Sequence, residues 1–286
     1  MNLRAYAKIN IGLRVLGKRP DGYHNIETVF HEIDLSDELF VEKADAVSLT
    51  TSSSNVPSDS RNLCILAAEA MRARVKSRDG ATITLKKNIP VGAGLGGGSS
   101  DAAAVLVALN KLWNAGLDRK DLLSIASTLG SDVPFFIRGG SAFGTSRGEV
   151  LDYFDLKIPY WIATVTPPIH VSTSWAYSRV KPRSQKASGN LRTLVEGGIA
   201  QPSKLPDTVP NDFEDSVFEV QPEIRKIKEA LKASGALFAL MSGSGSSVFG
   251  FFGDEDSARR AVKSFAPPLV TSMTRPNFRA NHIDEP

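Results

Sequence analysis

The stretch that decides the fold reads Pro90-Val91-Gly92-Ala93-Gly94-Leu95-Gly96-Gly97-Gly98-Ser99-Ser100-Asp101. Five of the seven residues from 92 to 98 are glycine. Glycine lets a backbone approach a ligand closely and adopt positive φ angles, but it also raises the entropic cost of ordering the loop. We therefore expect this loop to bind a ligand; a flexible loop that binds nothing is the alternative.

The segments on either side of the loop favour phosphate binding. Residues 81–87 alternate as a strand does, and residues 102–113 form a strongly apolar helix. We predict that this helix is capped at its start by Ser99, Ser100 and Asp101. Because the unpaired N–H groups of a helix start attract anions, loop and helix together suit a di- or triphosphate.

Two familiar phosphate-binding motifs do not fit this region. Gly92, Gly94 and Gly97 match the dinucleotide pattern G-x-G-x-x-G, and Asp118 follows at about the 20-residue spacing of a ribose-binding acid. However, Asp118 precedes a predicted helix without an intervening strand, so it is better explained as a helix cap. The P-loop pattern G-x-x-x-x-G-K-[ST] occurs nowhere in the sequence. A nucleotide would therefore be bound by another kind of loop.

Composition limits the classes of protein that remain. The 286 residues suffice for two small cores, and 42% apolar with 23% charged residues is typical of folded soluble proteins. A net charge of +3 does not indicate a nucleic-acid-binding protein. Cys64, the only cysteine, lies in an apolar run and is expected to be a buried thiol. Without a signal core or a stretch of about 18 apolar residues, we expect a cytoplasmic protein that does not bind membranes.

Hydrophobic periodicity predicts a mixture of strands and helices in two parts. Strands are predicted at residues 5–16, 29–35, 39–41, 160–166, 236–241 and 248–252, and helices at 62–75, 118–129, 224–233 and 256–265. Helix starts are predicted near Pro134 and at residues 211–214, whereas residues 50–60 and 181–210 are expected to be irregular. The predicted domains are residues 1–155 and 156–286.

Three motifs in order along the chain resemble those of GHMP kinases. They are Ala7-Lys8-Ile9-Asn10, the glycine loop at residues 90–100, and Ser242-Gly243-Ser244-Gly245. The resemblance implies an α+β fold with a ribosomal-protein-like N-terminal half, a ferredoxin-like C-terminal half, and the active site in the cleft between them. It also implies ATP and Mg²⁺ as cofactors.

Two further elements narrow the resemblance within that family. They are Arg19-Pro20-Asp21-Gly22-Tyr23-His24 and Leu129-Gly130-Ser131-Asp132-Val133-Pro134-Phe135-Phe136, and residues 211–214 also look like a family element. They are typical of the branch that phosphorylates the 2-hydroxyl of a cytidine diphosphate conjugate of methylerythritol, in non-mevalonate isoprenoid biosynthesis. Other GHMP kinases, acting on homoserine or mevalonate, are the closest alternative. A sensor that binds ligand without turnover is a more distant one, and it would be expected to lack the base or the loop.

The resemblance assigns catalytic roles to Lys8 and Asp132. Asp132 is implied to be the general base, although its position also suits a simple helix cap. Lys8 is implied to orient Asp132 and to stabilise charge on the transferring phosphoryl group. From the sequence alone, Lys8 could equally be an exposed residue of an edge strand.

The binding residues are also assigned by resemblance. Pro90 to Ser100, with Asn62 and Lys87, are expected to contact ATP. The substrate contacts are expected to be Asn10 with the polyol, Tyr23 and Tyr177 stacking on the base, His24 reading the cytosine edge, and Thr173. For His24 a surface position, and for Tyr177 core packing, are the simpler interpretations.

Overall fold

A computed structural model describes residues 1–180 and 189–282 and contains two sheets. The first sheet has the order β3-β4-β2-β5-β6, and β1 pairs with β2 beside it. Its strands are β1 (Asn2–Lys18), β2 (His24–Ala44), β3 (Ser48–Thr51), β4 (Gly80–Lys86), β5 (Ser141–Thr145) and β6 (Val150–Tyr153). The helices that accompany it are α1 (Leu63–Val75), α2 (Gly97–Leu112), α3 (Arg119–Leu129) and α4 (Val133–Arg138).

The second sheet is formed by the C-terminal half in the order β10-β7-β9-β8. Its antiparallel strands are β7 (Trp161–Thr166), β8 (Phe238–Met241), β9 (Val248–Phe252) and β10 (Val270–Thr274). The helices of this half are α5 (Thr173–Arg179), α6 (Leu191–Ile199), α7 (Leu205–Thr208), α8 (Glu214–Val220), α9 (Pro222–Ala233) and α10 (Glu255–Lys263), with a 3-10 turn at Pro202–Lys204. The α+β class is therefore confirmed.

Local sequence signals explain where several helices begin. Asn62 caps α1 by accepting a hydrogen bond from the backbone N–H of Cys64, and Asp118 caps α3 by accepting one from Asp121. The prediction for Asp118 is thus confirmed. The prediction for Ser99, Ser100 and Asp101 is wrong, because α2 already begins at Gly97 and all three lie within its first turns.

Several predicted elements differ from the structure. The two strands predicted at residues 29–35 and 39–41 form one continuous strand, β2, and residues 50 and 51 belong to β3. The segment predicted to be irregular contains α6 and α7, while its residues 181–188 lie outside the described part of the chain. α6 was missed because a nine-residue helix between proline- and serine-rich stretches gives only a short periodic signal.

A shared apolar core joins the two halves. Ile9 and Ile33 of the first sheet belong to one buried cluster with Phe249 and Phe251 of β9. Cys64 of α1 is buried, as expected, in a separate cluster that includes residues of α2. The two sheets therefore pack against each other through side chains from both ends of the sequence, and the predicted division after residue 155 stays a prediction. Within the described residues, no helix has the length and apolar character needed to cross a bilayer.

A buried group of charges fixes the start of the glycine loop. Asp37 of β2 accepts hydrogen bonds at Oδ1 from the backbone N–H groups of Asn88 (2.6 Å) and Ile89 (2.9 Å), and its Oδ2 is paired with Lys87. The same Lys87 ammonium donates to Asp101 of α2 at 2.8 Å. One lysine and two aspartates thus tie β2, the end of β4 and α2 together beneath the loop.

We expect Asp37→Ala to destabilise the protein by about 3–5 kcal/mol, because it leaves two backbone N–H groups without their acceptor and removes one partner of a buried lysine. Glu38→Ala is the matched control, since it removes the adjacent carboxylate from an exposed pair with Lys86 and is expected to have a much smaller effect. Urea unfolding of both variants measures the difference. Equal effects of the two substitutions would contradict the role given to Asp37.

Candidate active site

A cavity of about 1210 Å³ lies between the glycine loop and the C-terminal half. Its wall combines residues of β1, of the loop, of the connection before α4, of α5 and of the turn after β8. All predicted catalytic and substrate-binding residues border it: Lys8, Asn10, Tyr23, His24, Asp132, Thr173 and Tyr177. The fold thus brings together residues that are up to 169 positions apart, from Lys8 to Tyr177.

The glycine loop fits closely into its surroundings. Gly94 has φ +79°, and a Cβ atom on it would lie 2.1 Å from the backbone oxygen of Ser242. Gly96 has φ +72°, and a Cβ atom there would lie 2.8 Å from the ring of Phe136. These glycines are therefore needed both for their backbone angles and for the space they leave. The residues of the loop that border the cavity are Pro90, Val91, Gly92, Gly94, Gly96, Gly97, Gly98 and Ser99.

Three predicted ATP contacts in the loop are buried instead of facing the cavity. Ala93, Leu95 and Ser100 are all nearly inaccessible to solvent. The backbone oxygen of Ala93 accepts a hydrogen bond from the N–H of Ser247 at 3.0 Å, and that of Leu95 accepts one from the N–H of Lys8 at 3.0 Å. Ala93 and Leu95 thus hold the loop against the residue before β9 and against β1.

Lys8 is buried and surrounded by acceptors. Its ammonium nitrogen lies 2.6 Å from Oδ1 of Asn10, 3.2 Å from the backbone oxygen of Gly94 and 3.5 Å from Oδ2 of Asp132. The face of the Phe30 ring lies beneath it, with the ring centre 5.2 Å away. Burial lowers the pKa of Lys8, and the neighbouring Asp132 carboxylate opposes this shift. The interpretation of Lys8 as an exposed edge residue is thus wrong.

Asp132 is oriented towards Lys8 and towards the cavity. It occupies the N-cap position of α4, yet its carboxylate forms no capping hydrogen bond within the described part of the chain. About a third of its side chain (34%) is exposed. A carboxylate that is paired with a buried ammonium and still accessible can accept a proton from a bound hydroxyl group.

The predicted nucleotide contacts Asn62 and Lys87 border the cavity but have their polar atoms engaged in the protein. The Asn62 side chain caps α1 and donates to the backbone oxygen of Pro57 at 2.7 Å. Lys87 is held by Asp37 and Asp101; burial alone would lower its pKa, but the two carboxylates raise it. Their contact with ATP stays a prediction.

Aromatic side chains line one end of the cavity, called the aromatic end below. The rings of His24 and Tyr177 stack with their centres 5.1 Å apart, and the rings of Tyr177 and Phe213 are nearly perpendicular with their centres 4.9 Å apart. Tyr23 is 55% exposed, and the Arg147 guanidinium lies 4.8 Å from its ring centre. Tyr177 is thus both a core residue and a wall of the cavity, and its pKa is raised by burial and by Asp132.

Sequence reasoning missed two cations at this end of the cavity. Arg147 lies between β5 and β6, and Lys18 ends β1; both border the cavity. The pKa of His24 is lowered by partial burial and, to a smaller extent, by the charge of Lys18. The hairpin that carries Arg147 was not predicted, so only a recognised β5–β6 pair could have drawn attention to that residue.

Comparisons with known proteins agree with this arrangement. The family model described as "GHMP kinases N terminal domain" matches residues 62–140, and "GHMP kinases C terminal" matches residues 201–267. The chain is 43% identical to 4-diphosphocytidyl-2-C-methyl-D-erythritol kinase of Chlorobium phaeobacteroides (strain BS1), over 97% of this chain and 98% of that protein. The enzyme of the same name from Prosthecochloris aestuarii is 42% identical, over 97% and 98%.

Solved structures show the same relationship. A crystal structure of 4-(cytidine 5'-diphospho)-2C-methyl-D-erythritol kinase has a TM-score of 0.79 and 34% identity, covering 96% of this chain and 98% of that one. Homoserine kinase from Cytophaga hutchinsonii shares the fold, with a TM-score of 0.67 at 18% identity and 95% coverage of each chain. The fold and the site define the protein as a kinase of the GHMP class. Within that class, the chain belongs to the 4-diphosphocytidyl-2-C-methyl-D-erythritol kinase family.

Proposed function

We propose that this protein transfers the γ-phosphoryl group of ATP to the 2-hydroxyl of 4-diphosphocytidyl-2-C-methyl-D-erythritol, giving the 2-phosphate and ADP, as a step of non-mevalonate isoprenoid biosynthesis. The observation that carries the proposal is the pair of Lys8 and Asp132, 3.5 Å apart, in one cavity with the glycine loop. The names of the relatives support the choice of substrate. The cytoplasmic location expected from the sequence stays a prediction.

The reaction needs positioning, charge neutralisation and removal of one proton. Asp132 accepts the proton of the substrate 2-hydroxyl. The hydroxyl oxygen forms a bond to the γ-phosphorus, and the bond from that phosphorus to the β–γ bridging oxygen breaks, which releases ADP. Lys8 keeps the Asp132 carboxylate in place and stabilises the negative charge that develops on the reacting oxygens. General base catalysis of this kind contributes about 10²–10⁴-fold.

Phosphate oxygens bind in the glycine loop. The loop and the first turn of α2 present backbone N–H groups and a helix start to the cavity, which suits a triphosphate. Within residues 1–180 and 189–282, no group of three or more His, Cys, Asp or Glu side chains is placed to hold a metal ion. Mg²⁺ would enter with ATP and would neutralise charge on the phosphates, since this ion is commonly bound through substrate phosphates with one or two carboxylates.

The cytidine end of the substrate binds among the aromatic side chains. Tyr23, His24 and Tyr177 offer faces and ring nitrogens to a base, and Arg147 and Lys18 offer positive charge to a diphosphate. Because His24 and Tyr177 already stack on each other, a base that stacks on that face of Tyr177 displaces His24 towards the base edge. The side-chain oxygen of Asn10 accepts from Lys8, and its amide nitrogen donates to Thr28. Asn10 therefore contacts the polyol with the second N–H of the amide or with the remaining lone pair of the oxygen.

The proposed function predicts which acceptor is phosphorylated. We expect ATP consumption with the cytidine diphosphate conjugate and none above background with homoserine, mevalonate or free methylerythritol phosphate, because only the conjugate engages the aromatic end of the cavity. Coupled measurement of ADP release with each compound provides the test. Comparable kcat/KM for the conjugate and the free phosphate would contradict the assignment, and turnover of none of them would favour the non-catalytic sensor.

Asp132→Asn is expected to fold normally and to lose about 10²–10⁴-fold in kcat with little change in KM, because the amide cannot accept the proton. Asp155→Asn is a matched control, since Asp155 forms an exposed pair with Arg279 away from the cavity. Steady-state kinetics of both variants decide the matter. More than about a tenth of the wild-type kcat in Asp132→Asn would exclude a base of that strength.

His24→Ala is expected to lower kcat/KM for the cytidine conjugate about tenfold to a hundredfold and to leave ATP affinity nearly unchanged. The reason is that polar groups of a buried base lose their partner, at roughly 1–3 kcal/mol. Titration of the variant with each ligand separately measures both effects. Loss of ATP affinity alone would show that the two nucleotides occupy the opposite ends of the cavity, and loss of neither would make His24 a residue without a binding role.

A further inference from the structure

Ser242 is a buried residue of the late glycine motif to which the catalytic scheme gives no role. It follows the last residue of β8 and has no exposed surface. Its backbone is held on both sides by the Asn211 side chain, whose amide nitrogen donates to the backbone oxygens of Met241 (2.7 Å) and Gly243 (2.8 Å). The position of its hydroxyl is therefore fixed by the C-terminal half.

The Ser242 hydroxyl reaches into the N-terminal half. Its oxygen donates a hydrogen bond to the backbone oxygen of Gly94 at 2.9 Å and accepts one from the backbone N–H of Asn10 at 3.2 Å. The Asn10 side-chain oxygen lies 3.5 Å from the same hydroxyl. One hydroxyl thus contacts β1 and the glycine loop at the same time.

Ser242 contacts the two residues that hold the Lys8 ammonium: it shares the Gly94 carbonyl oxygen with Lys8, and it binds Asn10 through the backbone N–H. Lys8 donates to the backbone oxygen of Gly94 and to Oδ1 of Asn10, and its third close partner is Asp132. An ammonium group has three N–H donors, so these acceptors account for all of them. A shift of Gly94 or Asn10 would therefore turn Lys8 away from Asp132.

We propose that Ser242 is a positioning residue for catalysis: its hydroxyl fixes the Gly94 carbonyl and the Asn10 backbone, and thereby directs the Lys8 ammonium at Asp132. The inference rests on the proposed function of Lys8. Ser242 of the motif at residues 242–245 thereby acts on Lys8 indirectly, through the Gly94 carbonyl and through Asn10. Ser242 itself contacts neither reacting atom.

Ser242→Ala is expected to lower kcat about tenfold and to leave KM for ATP and for the cytidine conjugate within about twofold, because one hydrogen bond to the groups around Lys8 is lost. The pH profile of kcat provides a readout that a merely structural role would not change. Burial already lowers the pKa of Lys8 and Asp132 opposes this shift, while burial and the charge of Asp132 raise the pKa of the Tyr177 hydroxyl. Loosening the acceptors of the ammonium lowers the Lys8 pKa further, so the alkaline limb of the profile moves to lower pH.

Two other substitutions of Ser242 separate chemistry from folding. Ser242→Thr keeps the hydroxyl and is expected to restore kcat and the alkaline limb, whereas Ser242→Cys keeps the size but is a weak donor and is expected to behave like Ser242→Ala. Ser141→Ala is the matched control, because Ser141 is also buried and its hydroxyl bonds to Nδ1 of His31 at 2.7 Å, away from the cavity. It is expected to change thermal stability without moving the pH profile.

An unchanged kcat and alkaline limb in both Ser242→Ala and Ser242→Cys would overturn the inference. So would a loss of kcat in step with a loss of thermal stability, with the alkaline limb in place, because that result describes a structural residue. Lys8→Met separates this failure from a failure of the proposed function. If Lys8→Met retains wild-type turnover, the role of the lysine is wrong; if it is inactive while Ser242→Ala is normal, only the role of Ser242 is wrong.

Discussion

The desolvated Lys8 ammonium is the constraint on which the rest of the site depends. A buried cation is costly unless its protons are all satisfied, and here the acceptors come from three distant parts of the chain. β1 provides the lysine and Asn10, the glycine loop provides the Gly94 carbonyl, and the connection before α4 provides Asp132. The hydrogen bonds that satisfy the Lys8 ammonium therefore place Asp132, the glycine loop and β1 at fixed distances from one another.

A second buried lysine, Lys87, holds distant parts of the chain together beneath the glycine loop. Lys87 joins Asp37 and Asp101, and one oxygen of Asp101 remains without a partner among the described residues. Burial, together with the nearby Asp37, raises the pKa of Asp101, while Lys87 opposes the shift. Both lysines precede the glycine loop in the chain; Lys87 lies just before its start, and Lys8 contacts its middle at the backbone oxygen of Gly94.

The sequence was most informative where local chemistry decides the structure. The glycine run between a predicted strand and an apolar helix predicted a phosphate loop. In the structure, the positive φ angles and close contacts of Gly94 and Gly96 leave no room for a side chain. Long periodic helices such as α9 were predicted within two residues. The α+β class was implied by the resemblance to GHMP kinases, and periodicity on its own predicted only a mixture of strands and helices.

What could not be predicted depends on contacts between distant residues. The engagement of Lys87 by Asp37 joins positions 50 apart, and no local pattern indicates it. Arg147 was missed because the short strands β5 and β6 become strands only by pairing with β2 and with each other. Ser99, Ser100 and Asp101 looked like caps because the sequence rules favour polar residues at helix starts, whereas the backbone at Gly96 allowed α2 to begin earlier.

The core shared by the two sheets has a consequence for how such a protein can change over evolutionary time. Side chains of β1 and β2 lie in one buried cluster with those of β9, which comes more than two hundred residues later in the chain. Neither half presents a finished surface, so a recombinant that exchanged one half would bring together two surfaces not shaped for each other. New acceptor specificities in this architecture are therefore expected to arise by changes at the cavity rim, in the turn before β2 and the β5–β6 hairpin, while the two halves are inherited together.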